Sequence, residues 1–372
     1  MSRRIGLYLH IPFCRSKCLY CDFPSYPGQE AQMEAVIGRM TEELWAWGKR
    51  LPDARVETVY LGGGTPSLLP PTLLERLLSA ARDAFLIAPD AEISMEMNPG
   101  TITERLLQTA VRSGVNRVSI GAQSAQDRLL KLLGRIHDFA AVKRAVEQCR
   151  RAGIDNLNLD MMLGLPTQTL MDVEETLERL IALSPKQISC YGLIVEDGTR
   201  LKRLLDDGVL QLPDEDLERD MYELARSVLE NAGYAQYEIS NFAKPGFSCR
   251  HNVDCWQRKE YLGVGVAACG FLGTTRYRNP VTIPAYLAGE APEITELTAE
   301  DERFESIMLG LRMTEGISDA EFCKRHGLSI RQAFGDKLDG PLQNGLLTFD
   351  EGVLRLTRRG MDVQNAVLVD LM

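Results

Sequence analysis

The first two hundred residues alternate short apolar runs with longer stretches whose apolar residues recur every three or four positions. Short apolar runs predict strands, and the longer period predicts amphipathic helices. The predicted strands are Ile5–Ile11, Val56–Leu61, Glu92–Met97, Arg117–Gly121, Leu157–Met162 and Gln187–Tyr191. The predicted helices lie near 30–50, 71–86, 102–113, 138–152 and 169–183. This alternation predicts right-handed βαβ units around a parallel sheet.

Residues that could bind a ligand occur where these strands end. They are a cysteine-containing loop at 14–21, the glycine run Gly62–Pro66, Glu96, Gln123, Asp160 and Tyr191, one for each successive strand. The carboxyl edge of a parallel sheet or barrel is where ligands bind. Because six units are too few for a closed eight-stranded barrel, the sequence predicts an α/β fold, a partial (β/α)6 TIM-like barrel.

The regular alternation of predicted strands and helices ends after about residue 185. One long helix is predicted over Gln211–Gly233, a Gly- and aromatic-rich segment follows, and Ala285–Pro292 is predicted to be a linker. Beyond Thr298 helices dominate, with a hairpin of Gly345–Phe349 and Val353–Leu356 and a closing helix, which is typical of a winged-helix-like module. The predicted domains are a core at 1–235, a connecting region at 236–295 and a mainly helical C-terminal module at 296–372.

Charge and cysteine content narrow the functional class. The 372 residues carry a formal net charge of −10, which argues against nucleic acid and anionic membranes as partners. The winged-helix-like module is therefore expected to serve in packing or as a lid. Met1–Arg4 leads directly into a short strand, without the apolar segment of a signal peptide or membrane span. Nine cysteines and no export signal predict reduced thiols and a cytoplasmic protein.

Three of the cysteines, Cys14, Cys18 and Cys21, fall in one loop, and Phe23 occupies the position where a fourth could lie. A cubane iron–sulfur cluster is normally held by four thiolates, so three leave one iron with an open coordination position. Because an open position is where a ligand binds, the spacing predicts a [4Fe–4S] cluster that also binds a small molecule.

Zinc is the alternative occupant of this loop. It would be held by the same three thiols together with His10, Cys249 or Cys255. Zinc knuckles usually contribute two C-x2-C pairs, and the sequence has no second pair, so zinc is the less favoured prediction.

The glycine run and two carboxylates supply further chemistry. Gly62-Gly63-Gly64-Thr65-Pro66 lets backbone groups approach a ligand closely, but it lacks the spacing of a dinucleotide fingerprint and the lysine of a Walker loop. Glu96 and Asp160 are carboxylates in apolar strands, so each requires a partner, either ribose hydroxyls of a ligand or an internal ion pair. Gln123 and Arg135 add polar groups on the same rim.

Taken in order, these segments resemble the radical S-adenosylmethionine (SAM) superfamily, and within it the oxygen-independent coproporphyrinogen III oxidase-like group. The resemblance extends over essentially the whole chain through Tyr8–Cys14, the glycine run, Gly121–Ser124, Asp160–Pro166 and Gly310–Arg312. It implies that Cys14, Cys18 and Cys21 hold a [4Fe–4S] cluster whose open iron binds SAM. The SAM contacts that it implies are Tyr8, Gly63, Gly64, Thr65, Glu96, Gln123, Arg135 and Asp160.

That group has two branches, coproporphyrinogen III dehydrogenases and haem chaperones. The dehydrogenases resemble C-x3-C-x2-C-x-C after an extended N-terminus, whereas this chain has Phe23 at the fourth position and thirteen residues before Cys14. Both features favour the haem-chaperone branch. The resemblance then implies haem as cargo, haem-acceptor proteins as partners and an electron donor for the cluster. The alternatives are oxidative decarboxylation of coproporphyrinogen III and a non-catalytic scaffold with a structural metal.

A possible haem site is suggested by a segment that resembles H-N-x-x-Y-W. Here it reads His251-Asn252-Val253-Asp254-Cys255-Trp256, and Cys269 stands where relatives resemble a histidine. Imidazole and thiolate both ligate haem iron, so Cys249, His251, Cys255 and Cys269 form a candidate patch. The hypothesis is that His251 contributes to haem binding. The alternative is a hydrogen-bonded structural histidine.

Overall fold

The computed structural model describes residues 3–372 and places the predicted βαβ units in its first 231 residues. The strands are β1 Arg3–Ile11, β2 Phe13–Cys14, β3 Tyr26–Pro27, β4 Ala54–Gly63, β5 Leu86–Met97, β6 Arg117–Gln123, β7 Leu157–Leu163 and β8 Gln187–Gly192. The helices are α1 Met33–Arg50, α2 Pro71–Ala84, α3 Glu104–Arg112, α4 Asp127–Leu132, α5 Phe139–Arg151, α6 Leu170–Ala182, α7 Arg200–Asp206 and α8 Glu215–Asn231.

The next segment adds strands to both edges of the same sheet. Its elements are β9 Ala235–Glu238, β10 Asn241–Ala243, α9 Arg250–Trp256, β11 Tyr261–Val264, β12 Cys269–Leu272, β13 Thr275–Arg278, α10 Ile283–Ala288 and β14 Glu293–Glu296. The resulting sheet has the order β14-β13-β12-β11-β1-β4-β5-β6-β7-β8-β10-β9. Strands β1 and β4 to β8 pair in parallel, as does β11 with β1, while β9, β10 and β12 to β14 pair antiparallel. The predicted open barrel is confirmed, and its sheet is wider than expected.

The two faces of the sheet differ in polarity. On β1, Ile5, Leu7, Leu9 and Ile11 are buried in the main apolar cluster together with residues of the surrounding helices. Because side chains alternate along a strand, the intervening residues point to the opposite, concave face. That face carries the polar side chains and forms the wall of the candidate site.

Two local predictions were wrong in their bounds or type. Helix α8 begins at Glu215, after Gln211–Pro213, because the Asp214 side chain accepts a hydrogen bond from the Leu217 N–H and caps it there. The predicted linker Ala285–Pro292 is largely ordered secondary structure. Thr282 caps α10, which ends at Gly289 with φ 74°, and β14 then pairs with β13.

The C-terminal module contains its own apolar core. Its elements are α11 Ala299–Gly310, β15 Ile317–Ser318, α12 Asp319–His326, α13 Ile330–Phe334, α14 Asp339–Gln343, β16 Leu347–Asp350, β17 Val353–Leu356, α15 Arg358–Asp362 and α16 Gln364–Leu371. Strands β15, β17 and β16 form a three-stranded antiparallel sheet. The buried Arg258 ties this module to the core by hydrogen bonds to Glu302 and Glu305.

Within residues 3–372, none of the helices combines the length and apolar character needed to cross a membrane.

Candidate functional site

A cavity of about 400 Å³ opens at the carboxyl ends of the parallel strands. Its wall includes most of the residues predicted from the sequence: Cys14, Cys18, Cys21, Gly63, Gly64, Thr65, Glu96, Gln123, Arg135 and Asp160. Residues from the ends of four strands, β4 to β7, therefore meet the cysteine loop and Arg135 in one place. The expectation that the strand ends converge is confirmed, while the role of each side chain remains a prediction.

The cysteine loop is fixed to its surroundings at several points. Strand β2 pairs with β3, and the backbone N–H of Leu19 donates to the carbonyl of Leu133 at 3.0 Å. The Sγ of Cys14 lies 3.4 Å from Thr65 Oγ1, and Arg135 Nη1 donates to Cys18 Sγ at 3.5 Å. Two of the three thiols therefore contact a hydrogen-bonding side chain from outside the loop, Thr65 after β4 and Arg135 after α4. Such contacts orient metal ligands and tune the metal.

The geometry of the thiols bears on the zinc alternative. Among residues 3–372, no three His, Cys, Asp or Glu side chains converge closely enough to hold a single metal ion. Zinc–sulfur bonds of about 2.3 Å would require such convergence. His10 is also engaged elsewhere, because its Nε2 lies 3.0 Å from the Pro24 carbonyl and its Nδ1 lies 3.0 Å from the Tyr8 hydroxyl. Since a carbonyl only accepts, Nε2 carries the proton and Nδ1 accepts from Tyr8.

The glycine run places bare backbone against the cavity. Gly63 has φ 104°, a conformation that L side chains rarely adopt, and a Cβ there would lie 2.5 Å from the His10 ring. A Cβ on Gly64 would lie 2.6 Å from the carbonyl oxygen of Phe13. Glycine is therefore required at both positions by the packing behind the loop. The side facing the cavity is left free for a ligand.

Glu96 is a partly buried carboxylate near the end of β5. It accepts hydrogen bonds from the Tyr60 hydroxyl at 2.9 Å and from the Gly63 N–H at 3.2 Å. Burial raises the pKa of Glu96 to about 7, and these two hydrogen bonds only partly offset that effect. The sequence left open whether Glu96 forms an internal ion pair. Among the described residues, Glu96 takes part in no salt bridge.

Asp160 lies on β7, two strands away from Glu96 in the sheet, in a polar network. It accepts hydrogen bonds from Ser119 Oγ at 3.0 Å and from Asn158 Nδ2 at 2.6 Å. Burial raises the pKa of Asp160 above its usual value, and the hydroxyl and amide donors oppose this rise. Gln123 projects from the same rim with φ 64°, a left-handed conformation that is uncommon for a residue other than glycine and recurs at binding sites.

Sequence reasoning missed several residues of the cavity wall. Arg117, almost completely buried, donates to Gln187 Oε1 at 2.7 Å and lines the cavity floor. It starts a period-two series along β6, β7 and β8, each member of which lines the cavity: Arg117, Ser119, Gly121, Gln123, Asn158, Asp160, Met162, Ser189 and Tyr191. A polar residue at most of the alternate positions of otherwise buried strands is a signal that could have identified this wall.

Tyr8 lies just behind the cavity. Its ring stacks with Tyr60 at a centroid distance of 6.2 Å, its hydroxyl contacts His10, and it is not among the described residues that form the wall. Its predicted SAM contact therefore has less geometric support than those of Glu96 or Thr65.

The haem patch predicted from the sequence is dispersed. Cys249 is fully buried and Cys269 is exposed, and no three of the four side chains converge. His251 is 5% exposed, and its Nδ1 lies 2.8 Å from Thr58 Oγ1. Its ring stacks on Tyr60 at 5.2 Å, and burial lowers its pKa to about 4. These contacts support the structural alternative for His251. Asn252, the next residue, does line the cavity.

Comparisons with known proteins agree with this geometry. The family model described as Radical SAM superfamily matches residues 8–180, and the model described as HemN C-terminal domain matches residues 297–363. In solved structures, the fold is similar to that of coproporphyrinogen III oxidase (HemN) from Escherichia coli, with a TM-score of 0.86 over 100% of this chain and 90% of that chain. The identity is 22%, so this likeness shows the fold alone.

Curated relatives are closer in sequence. Heme chaperone HemW from Escherichia coli (strain K12) is 36% identical, with 98% of this chain and 97% of the relative covered. Heme chaperone HemW from Synechocystis sp. (strain ATCC 27184 / PCC 6803 / Kazusa) is 38% identical over 89% of this chain and 84% of the relative. The protein of the same name from Bacillus subtilis (strain 168) is 34% identical, with 97% of both chains covered. The chain therefore belongs to the radical SAM superfamily and, within it, to the family of proteins named Heme chaperone HemW.

Proposed function

We propose that this protein is a cytoplasmic haem chaperone that binds a [4Fe–4S] cluster, SAM and haem, and passes haem to acceptor proteins. The observation that carries the proposal is the meeting of three loop thiols, a glycine cradle and a partly buried carboxylate in one cavity. The 36% identity to a Heme chaperone HemW over 98% of the chain supports the haem role. All nine cysteines are free in the structure, which supports a reducing compartment.

The donor set fits the two resident cofactors. Cys14, Cys18 and Cys21 would ligate the cluster and leave one iron open for SAM. A Cβ on Gly63 or Gly64 would clash with the residues packed behind the loop, so both positions present bare backbone to the cavity. This backbone would hold the polar end of SAM. When bound and reduced, the cluster would supply an electron to the SAM sulfonium.

The carboxylates would hold the nucleoside end of SAM. Glu96 retains free lone pairs beyond those used by Tyr60 and Gly63, so ribose hydroxyls can donate to it. Asp160, Gln123 and Arg135 would bind the remaining polar groups from the facing rim. The apolar members of the wall, including Met97 and Met162, would exclude water from the sulfonium.

Cluster content tests the first part of the proposal. Anaerobically reconstituted protein should contain about four irons and about four acid-labile sulfides per chain, which is the stoichiometry of a cubane cluster. Cys18→Ala should lose them, whereas Cys269→Ala, a matched change of an exposed thiol outside the cavity, should retain them. One tightly bound zinc without sulfide would contradict the proposal.

Haem transfer tests the second part. Holo-protein loaded with hemin should deliver haem to an apo-haemoprotein faster than free hemin does, as measured by the Soret spectrum of the acceptor. The competing assay supplies coproporphyrinogen III, SAM and a reductant under anaerobic conditions, with porphyrins identified by mass spectrometry. Mono- or divinyl products would show a dehydrogenase, and their absence from protein with an intact cluster would favour the chaperone.

A further inference from the structure

Arg135 separates the inner cavity from a second, open basin on the outer surface. It lines the cavity that contains the thiols and also the basin, whose volume is about 900 Å³. On the inner side its Nη1 contacts Cys18 Sγ at 3.5 Å, and its Nη2 donates to the Gly121 carbonyl at 2.9 Å. A side chain that touches a cluster ligand therefore forms part of the outer surface.

The cysteine loop is close to the same basin by other contacts. A narrow cavity is lined by Cys18 together with Gly134 and Ile136, and Ile136 also lines the basin. The N–H of Leu19 donates to the carbonyl of Leu133, which joins the cysteine loop to the end of α4. Residues of α4 line one side of the basin. The cluster site and the basin thus share a wall that is one side chain thick at Arg135.

The rim of the basin is cationic on an otherwise acidic protein. Arg128, Lys131 and Arg144 line it, and Arg15 borders the narrow cavity beside it. Of these, Lys131 and Arg15 form no salt bridge with any residue in the range 3–372, whereas Arg128 pairs with Asp172 and Arg144 with Asp138.

Two carboxylates that line the basin already accept hydrogen bonds from backbone N–H groups. Asp127 accepts from the Phe139 N–H, and Asp138 caps α5 through the Ala141 N–H. Ile136 provides an apolar centre with 39% exposure. A cationic rim around an exposed apolar residue is complementary to an acidic protein surface.

We propose that this basin is the docking site for an acidic one-electron carrier protein, and that electrons enter the cluster past Arg135 and Cys18. One electron leaves the reduced centre of the carrier and enters the oxidised cluster, and no bond is made or broken. Small redox contacts of this kind use interfaces at the low end of the size range, so charge complementarity governs their rates. The inference rests on the proposed cluster.

The test measures cluster reduction by stopped-flow absorbance, with chemically reduced plant-type ferredoxin as the probe. Lys131→Glu combined with Arg144→Glu should lower the second-order rate constant about tenfold at low salt, and the difference should shrink as salt is added. Lys49→Glu combined with Lys337→Glu gives the same change in net charge away from the basin and should have little effect. Ile136→Ala should slow reduction without altering its salt dependence.

Dithionite separates the two levels of the proposal. It is a small reductant that does not need to dock in the basin, so it should reduce the cluster of every variant to the same final extent as in the parent protein. If dithionite fails to produce a reduced cluster in the parent, the proposed function is wrong. If dithionite succeeds but the basin and control variants accept electrons from ferredoxin equally fast, the docking site is wrong.

Discussion

The backbone N–H of Gly63 donates to Glu96 Oε2 at 3.2 Å, which joins the glycine run after β4 to the carboxylate at the end of β5. The same carboxylate is held by Tyr60, which lies three residues earlier on β4. Neighbouring parallel strands thus fix the spacing between a backbone cradle and a carboxylate before any ligand binds. Preorganisation of this kind lowers the entropic cost of binding.

Affinity for SAM should rise as pH rises through about 7. The pKa of Glu96 is raised to about 7 by burial, so the carboxylate, which accepts two ribose hydroxyls better than the neutral acid does, predominates only above that pH. Anaerobic calorimetry at pH 6, 7 and 8 measures the effect. Glu96→Gln should lower affinity by about tenfold at pH 8 and abolish the pH dependence. An unchanged pH profile in Glu96→Gln would show that another group titrates.

The same pKa shift affects folding. Because the pKa in the folded state lies above the unfolded value of 4.5, protonated Glu96 favours the fold. This contribution is fully present below about 4.5 and is lost as pH rises through about 7. Denaturant titrations of the ligand-free protein should therefore show Glu96→Gln gaining stability relative to the parent as pH rises from 5 to 8.

Gly63→Ala should abolish SAM binding and destabilise the protein. The new Cβ would lie 2.5 Å from the His10 ring in a backbone with φ 104°, so the loop or His10 must move. Gly246→Ala is the matched control, since Gly246 has φ 80° with nothing within 4 Å of the added Cβ. The control should cost about 1 kcal/mol from backbone strain alone. Gly63→Ala should cost at least about 2 kcal/mol more, measured by denaturant unfolding, because a buried clash is added.

The sequence was sufficient for the parallel strands and for the cavity residues at their ends. Strand periodicity locates Glu96 and Asp160, and the topology of a parallel sheet requires strand ends to meet. The spacing of Cys14, Cys18 and Cys21 identifies a metal loop without any knowledge of its conformation. These features are local, or they follow from topology alone.

Other features depend on tertiary contacts. The short strands β11 to β14 have weak local patterns, and they are strands because β1 offers an unpaired edge to β11. The prolines around α10 predict a linker, and the helix is too short to show a clear apolar period. Its only buried face is formed by Ile283 and Tyr286. The buried Arg117 and the Thr58 contact of His251 join residues far apart in the chain, so neither contact has a local signal.

Arg135→Gln should make the cluster harder to reduce. The guanidinium donates to Cys18 Sγ, and a cationic hydrogen-bond donor stabilises the more negative, reduced state. An EPR-monitored redox titration without SAM isolates this effect from any contact between Arg135 and SAM. Arg128→Gln is the control, because Arg128 lines the basin and bonds to Thr167 and Asp172 instead. Equal potentials in all three proteins would show that Arg135 does not act on the cluster.

His251→Ala should destabilise the protein and leave haem binding unchanged. The imidazole fills a buried space against Tyr60 and bonds to Thr58, so its removal should cost about 2–4 kcal/mol of unfolding free energy. Its pKa of about 4 lies below the unfolded value of 6.5, so the parent should lose stability as pH falls from 6.5 through 4. The variant should lack that component.

A hemin titration followed at the Soret band decides between the two roles of His251. We expect the folded His251→Ala protein, checked by near-UV circular dichroism and cluster content, to titrate as the parent does. Cys269→Ser provides the comparison at an exposed position of the same predicted patch. Weaker hemin binding by His251→Ala alone, with its cluster intact, would restore the haem hypothesis. It would also require the ring to leave Thr58, because haem cannot reach an imidazole that is 5% exposed.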